Sequence, residues 1–440
     1  EMLQQKEVQQ IIRQVIEELD LGKISGLTNE LGKSTFKLEI KGKGLDRQHL
    51  NATLVGNISA LQAYGYNYQS IDLNGKFKDK VFEGKLNVED PNLFMDFTGL
   101  IDMKSKRPSY VFNVEMYEAK PTIIGWMNRD PNAKLTFSAD ASLQGNNLDD
   151  FTGTGLVSKL SYSENGIDLE FDDLTLIAQD LPGSESLLSI ESDILDAELK
   201  GQYTRTKLLD NVNEILGFYL PLIKRQEAKI PPHANANFNI KLKNTKELLQ
   251  IFYPELKISD GTTISGTIKS ENKDVVLIMK SDSVSFNMAT FEGVDLNINT
   301  GKRDVNFTNN FKNIIINDTL VFVNPSITGS TDKQLTVFKI ASQSRDTNIN
   351  ELSVSAEARY EADGKTNIRV VESDITLNGK KWSIQGQNNI IFDGPSANIS
   401  NLGMSSGDES VMHEHLGRSL RLRVSTLQQG RAQRQSRYLL

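Results

Sequence analysis

From Phe36 onward apolar and polar residues alternate, and this period of two constrains the fold more than any other feature of the chain. Phe36, Leu38 and Ile40 interleave with Lys37, Glu39 and Lys41, and Ile71, Leu73 and Phe77 with Asp72, Asn74, Lys76 and Lys78. The pattern returns at residues 82–88, 93–101, 110–116 and 135–143, and again at 275–279, 284–288, 294–298, 352–356 and 375–392. Successive side chains of a strand point to opposite faces, so each segment has one dry face and one wet face. Turn signals such as Asp260-Gly261, Asn378-Gly379 and Glu361-Ala362-Asp363-Gly364 separate the segments. Helical patterns do not alternate regularly with strands, which argues against a βαβ parallel sheet. A mainly β, elongated antiparallel meander is expected, with one face buried and one wet. Two arrangements satisfy it: a pair of sandwiches whose dry faces cover each other, or a sheet curled into a trough. Periodicity does not separate them.

Helical spacing appears in three places. Leu3, Val8, Ile11, Ile12, Val15, Ile16 and Leu19 predict an amphipathic N-terminal helix over residues 1–22, closed by Gly22 and Gly26. Leu208, Leu209, Val212, Ile215, Leu216 and Tyr219 form a second patch, and Leu248, Leu249 and Phe252 a third before Pro254. The expected organisation is therefore a helix at 1–22, a β segment at 32–205, a helical insertion at 206–256, a second β segment at 257–411 and an atypical end at 412–440.

Charge sets that end apart. The net charge is −8, yet from His413 onward six arginines face one glutamate, so the tail carries +5 and the remainder −13. An acidic body is unsuited to nucleic acid, which needs a basic face. The tail, rich in Arg and Gln and without a sustained period, is expected to be a disordered extension or an artefactual end. Hydrophobic residues make up 38% of the chain and charged residues 24%, which is thin for several compact cores. The absence of cysteine removes disulfides, Cys-based zinc sites and thiol catalysis. No apolar run reaches the roughly 18–20 residues of a membrane-spanning helix. The first residue is Glu1 rather than Met, which reads as an internal fragment of a longer protein.

Motifs for chemistry are incomplete. Gly32-Lys33-Ser34 ends like a phosphate-binding loop, but Gly26 lies one residue too far upstream and a strand pattern follows. His413-Glu414-His415 has the wrong spacing for a helical zinc pair, and His49 and His233 lie near turn residues. Asp149-Asp150 and Asp172-Asp173 lack the graded spacing of a calcium loop and read as turns and solvated edges. No nucleophile-elbow pattern appears. A non-enzymatic protein without cofactor or metal is expected.

The stretches Gly56-Asn57-Ile58-Ser59-Ala60-Leu61-Gln62-Ala63-Tyr64-Gly65-Tyr66-Asn67-Tyr68, Val88-Glu89-Asp90-Pro91-Asn92-Leu93, Gly145-Asn146-Asn147-Leu148-Asp149-Asp150-Phe151-Thr152-Gly153 and Ser405-Ser406-Gly407-Asp408 carry a resemblance. The chain resembles the TamB-like translocation and assembly module proteins of the AsmA-like superfamily over residues 32 to about 411. The resemblance implies a β-taco-like open hydrophobic groove in the periplasm, anchored to the inner membrane by a segment absent here. It implies a bridge carrying phospholipids between inner and outer membrane. It also implies a partnership with an outer-membrane barrel protein of the Omp85 type through a missing C-terminal region. On this reading the groove is lined by Phe36, Leu38, Ile40, Ile71, Leu73, Phe77, Phe82, Leu86, Val88, Leu135, Phe137, Leu143, Leu169 and Phe171. Two rivals stand beside it: a scaffold for outer-membrane barrel assembly and secretion, and a secreted β-sandwich adhesin or sugar-binding module.

Overall fold

A computed structural model of the chain describes residues 10–26, 28, 30–43, 51–208, 210–211, 234–300, 304–318, 320–332, 335–342, 351–361, 364–377, 379–384, 388–393, 396–416, 419–426 and 437–439. The protein is mainly antiparallel β-sheet with a few short helices. It divides into two units, one formed by residues 1–198 with 246–253, the other by 199–245 with 254–440.

In the first unit the strands are β1 (Gln10–Asp20), β2 (Leu31–Lys43), β3 (Asn51–Ala63), β4 (Tyr66–Tyr68), β5 (Ile71–Lys78), β6 (Val81–Asp90), β7 (Leu93–Asp102), β8 (Ser109–Ala119), β9 (Lys134–Gln144), β10 (Thr152–Glu164), β11 (Ile167–Leu181) and β12 (Glu185–Ser192). β1 to β3 pair in order, β3 pairs with both β4 and β5, and β5 to β12 continue neighbour by neighbour, every pairing antiparallel. Where a connection is short, turn residues are in place. Asn165 (φ 52°) and Gly166 (φ 76°) both take left-handed backbone between β10 and β11, as a two-residue hairpin turn requires.

Two of the motifs behind the family resemblance are turn clamps. Buried Asp90 accepts from the Asn92 amide and the Tyr66 hydroxyl (2.8 Å each) with one oxygen, and from the Gln69 amide (2.9 Å) with the other. This ties the β6–β7 turn to β4. Asp150 accepts from the amides of Asn146 (2.7 Å) and Asn147 (2.8 Å), which holds its carboxyl below the usual range.

Three sequence expectations are corrected. Residues 10–20 are a strand, not a helix. Their β-branched residues suit a strand equally well, and pairing from Gln10–Gly42 to Asp20–Lys33 gives β2 a neighbour. Only α1 (Leu21–Ser25) is helical there, capped by Asp20, which accepts from the Lys23 amide, and closed by Gly26 at φ 80°. Residues 1–9 lie outside the described residues. The segment 206–256 is not helical throughout: Asn235–Leu242 alternates apolar and polar residues and pairs as a strand with Thr263–Lys269. A 3-10 turn covers Arg205–Lys207, and α2 spans Lys246–Phe252, while residues 209 and 212–233 lie outside the described residues. The boundary expected at 412 falls inside the strand Glu409–Leu416, which pairs with Ser419–Thr426.

The second unit contains a meander of antiparallel strands, including Thr263–Lys269, Asp274–Phe286, Ala289–Thr300 and Val305–Asn310. Ala234, Ile268, Val275 and Val305 form its buried cluster, with Tyr203, Phe238 and Ile298 packed on it.

Candidate functional site

Register assembles the first unit's dry residues into rows that run across the strands. One row is Phe36–Ile58–Ile71–Val88–Met95–Met116–Phe137, each residue directly opposite the next. Beside it runs Leu38–Gly56–Leu73–Leu86–Phe97–Val114–Ala139–Val157–Leu174, and beyond that Ile40–Leu54–Gly75–Gly84–Gly99–Phe112–Ala141–Gly155–Leu176. A fourth row is Ala52–Phe77–Phe82–Ile101–Tyr110–Leu143–Gly153–Ala178. At about 4.8 Å per strand the stripe from β2 to β11 is roughly 40 Å across.

All fourteen sequence-predicted residues join this apolar surface. Leu135, Leu169 and Phe171 do so at one end: Leu135 faces Tyr162, which faces Leu169, while Phe171 faces Leu160. A bulge in β10 between Ser158 and Ser161, with Lys159 at φ 52°, keeps those residues in the pattern. Sequence reasoning left out the rest of the rows, notably Met95, Phe97, Tyr110, Phe112 and Val114, although their alternation is equally plain.

The row of glycines has a packing reason. The ring of Phe82 lies where a side chain at Gly75 or Gly84 would stand, and that of Phe97 lies over Gly99, each ring atom within 2.9 Å of the absent Cβ. The rings fill the space that side chains at these positions would need.

Cover is uneven. The end nearest Phe137 is closed by the 120–133 loop: Pro121, Ile124 and Ala133 are buried, and Ile124 joins Ala63, Tyr68, Ile71, Val88, Leu93, Met116 and Ala119 in one core cluster. The Tyr68 hydroxyl donates to the Ile124 carbonyl (3.1 Å) and accepts from Trp126 Nε1 (3.1 Å). Burial raises the Tyr68 phenol above its ordinary value. The other three rows are mostly half-buried: Leu73, Phe77, Phe82, Leu86, Phe97, Ile101, Tyr110, Phe112, Val114 and Leu143 all keep part of their surface in solvent.

Next to the loop lies a polar knot that the sequence did not reveal. Arg129 Nε donates to both oxygens of Glu164 (2.7 and 3.0 Å), its Nη2 donates to the Ile251 carbonyl of α2 (2.7 Å), and its guanidinium lies 4.8 Å from the Phe252 ring centre. The Tyr162 hydroxyl donates to Glu164 (2.8 Å), and the Tyr162 and Phe252 rings stack at 6.2 Å. Glu164 is only 4% exposed, and the Arg129 bonds hold its carboxyl below the usual range. Burial, with the Glu164 carboxylate beside it, pushes the Tyr162 phenol up to about 12. The apolar run Ile123, Ile124, Trp126 and Met127, without alternation, is the one sequence signal of this closed end.

The opposite face carries a hollow of about 600 Å³. Most of its lining, Leu100, Val111, Ser142, Thr154 and Leu156 included, has the opposite parity to the rows, and none of the fourteen predicted residues lines it. Gly32-Lys33-Ser34 lies within β2, where Lys33 Nζ pairs with Glu18 (2.8 Å) and the Ser34 hydroxyl donates to the Ala60 carbonyl (3.1 Å). That geometry has no phosphate cradle. No family model, no curated protein and no solved structure matches the chain.

Proposed function

We propose that the chain is a non-catalytic β module that carries phospholipid acyl chains on the apolar face of its first unit, as part of a periplasmic bridge between two membranes. What supports this reading is one observation: in three adjacent rows of that face, from β5 to β9, every member with a side chain is apolar and remains half-buried. A sandwich core buries such rows, and a free apolar surface of this size on a soluble protein calls for an occupant. Each methylene moved from water to this surface contributes about 0.8 kcal/mol, so a long acyl chain gains several kcal/mol. The rows continue from strand to strand, so a chain sliding along them does not return to water at each step. The sheet curls around its cargo in this reading, headgroups outward. The resemblance to TamB-like proteins points the same way, and with it come the inner-membrane anchor and the barrel partner of the Omp85 type as properties of a longer parent.

The test places charge on the half-buried rows. Leu73→Glu, Phe82→Glu and Leu143→Glu together should abolish phospholipid co-purification, read by mass spectrometry, and slow phospholipid transfer between vesicles, with the far-ultraviolet β spectrum retained. Undiminished transfer by a folded triple variant would sink the proposal.

A further inference from the structure

The helix α2 reaches the first unit from more than forty residues beyond its last strand, and it is the only part of that unit contributed from beyond residue 198. With seven residues it is too short to persist by itself. Its place is fixed by packing. Ile251, 7% exposed, completes a buried cluster with Ala133, Tyr162, Leu169 and Ile194, and Leu248 packs on the same cluster beside Leu135 and Phe171. Leu135 also packs on the core cluster of the neighbouring rows, so the seat of α2 is continuous with the apolar face. The far side of the helix is wet: Lys246 and Gln250, opposite Leu248 and Ile251, are exposed.

The polar hold on this seat is narrow. Among the described residues it consists of Arg129, which bridges the buried Glu164 carboxylate and the Ile251 carbonyl near the helix C-terminus and lies over the Phe252 ring. A cation favours the negative end of a helix, so the guanidinium suits this position. Arg129 thus joins the loop that closes the end of the apolar face, the strand β10 and the helix.

We infer that the seat of α2 is itself an acyl-chain site, filled by the helix when no lipid is present, and that Arg129 is the latch that keeps α2 seated. Leu248 and Ile251 imitate the ligand, since they are aliphatic groups on an aliphatic and aromatic floor. A chain travelling along the rows toward Leu169 and Phe171 displaces the helix and takes its place. This rests on the acyl-carrying reading above and adds to it a ligand-controlled stop at one end of the face.

The chain contains no cysteine, so Ile251→Cys introduces a unique reporter thiol. Its maleimide labelling is measured with and without palmitoyl-lysophosphatidylcholine below micelle concentration, and binding of the same lipid is measured in parallel. Labelling should be slow alone and rise about fivefold or more with lipid, the low end of ordinary coupling between competing occupants. Arg129→Ala should speed labelling without lipid and tighten lipid binding by a similar factor. Phe252→Ala, which removes the ring over Arg129 and Tyr162 but keeps the Arg129–Glu164 hydrogen bonds, should act in the same direction and decides the matter if Arg129→Ala does not fold. Lipid binding of equal strength in all variants, with the reporter thiol still protected, overturns the stop and leaves the acyl-carrying reading standing. No lipid binding to any variant overturns both.

Discussion

Gly125 has φ +80°, and a Cβ there would stand 2.1 Å from the Tyr64 carbonyl oxygen. Both the left-handed backbone and the close approach require glycine, at the point where the 120–133 loop folds Ile124 inward. Gly125→Ala should therefore destabilise the first unit by about 3 kcal/mol, seen as a lower urea midpoint; an unchanged midpoint would refute this account of the loop. Glu164 makes a second residue-scale prediction. Its carboxylate faces the Arg129 guanidinium and the Tyr162 hydroxyl, with backbone of Asp130 beside it, and its folded pKa lies below the ordinary 4.5. A group of this kind stabilises fully above its unfolded pKa and loses that contribution as pH falls through its folded value. Glu164→Gln should lower Tm at pH 7, and the gap to wild type should narrow below about pH 4.5. A gap constant from pH 7 to pH 3 would show that the Arg129 pairing contributes nothing. Neither residue was legible as special beforehand. Gly125 is one of 31 glycines, and Glu164, 35 positions after Arg129, meets it only once β9 and β10 have folded.

The elements that could be read in advance are those whose pattern is local. Alternation at 71–78, 82–88 and 135–143 reports strands because one face is dry, and the third helical patch reports α2 because Pro254 stops it. Residues 10–20 misled for a physical reason. Ile11, Ile12, Val15 and Ile16 satisfy a helical stripe and a strand alike, and the available edge of β2 decides between them. The seat of α2 was out of reach, because nothing local says which distant surface a seven-residue helix will cover. The β10–β11 hairpin is the opposite case, with Asn165-Gly166 written for its turn. Gly166→Val places a branched side chain at φ 76° and should cost about 1–2 kcal/mol. Hydrogen exchange should then quicken in β10 and β11 before the rest of the sheet, and uniform loss across the first unit would show that this turn does not organise its hairpin.

At the scale of the molecule the central question is which face of the first unit's sheet matters. The fourteen residues chosen from sequence all lie on one face, and the hollow of about 600 Å³ lies on the other, so the two readings are spatially separate. The motifs that carry the family resemblance do not arbitrate. Asp90 and Asp150 hold turns, and turns of this kind serve any meander. Adjacent residues of β8 arbitrate instead. Tyr110 belongs to the rows, opposite Ile101 and Leu143, whereas Val111 points the other way, lines the hollow and is 49% exposed. Tyr110→Glu and Val111→Glu change charge equally, one residue apart in the same strand, so any general effect of an added carboxylate is shared. If acyl chains occupy the rows, Tyr110→Glu weakens phospholipid binding about tenfold, on the scale of an unpaired charge set against an apolar ligand, and Val111→Glu leaves it intact. The reverse order would move the cargo to the hollow. Equal loss in both would mean that the sheet itself had failed, which the far-ultraviolet spectrum reports separately. Only the first outcome is compatible with a face whose dryness was already written in the alternation of the chain.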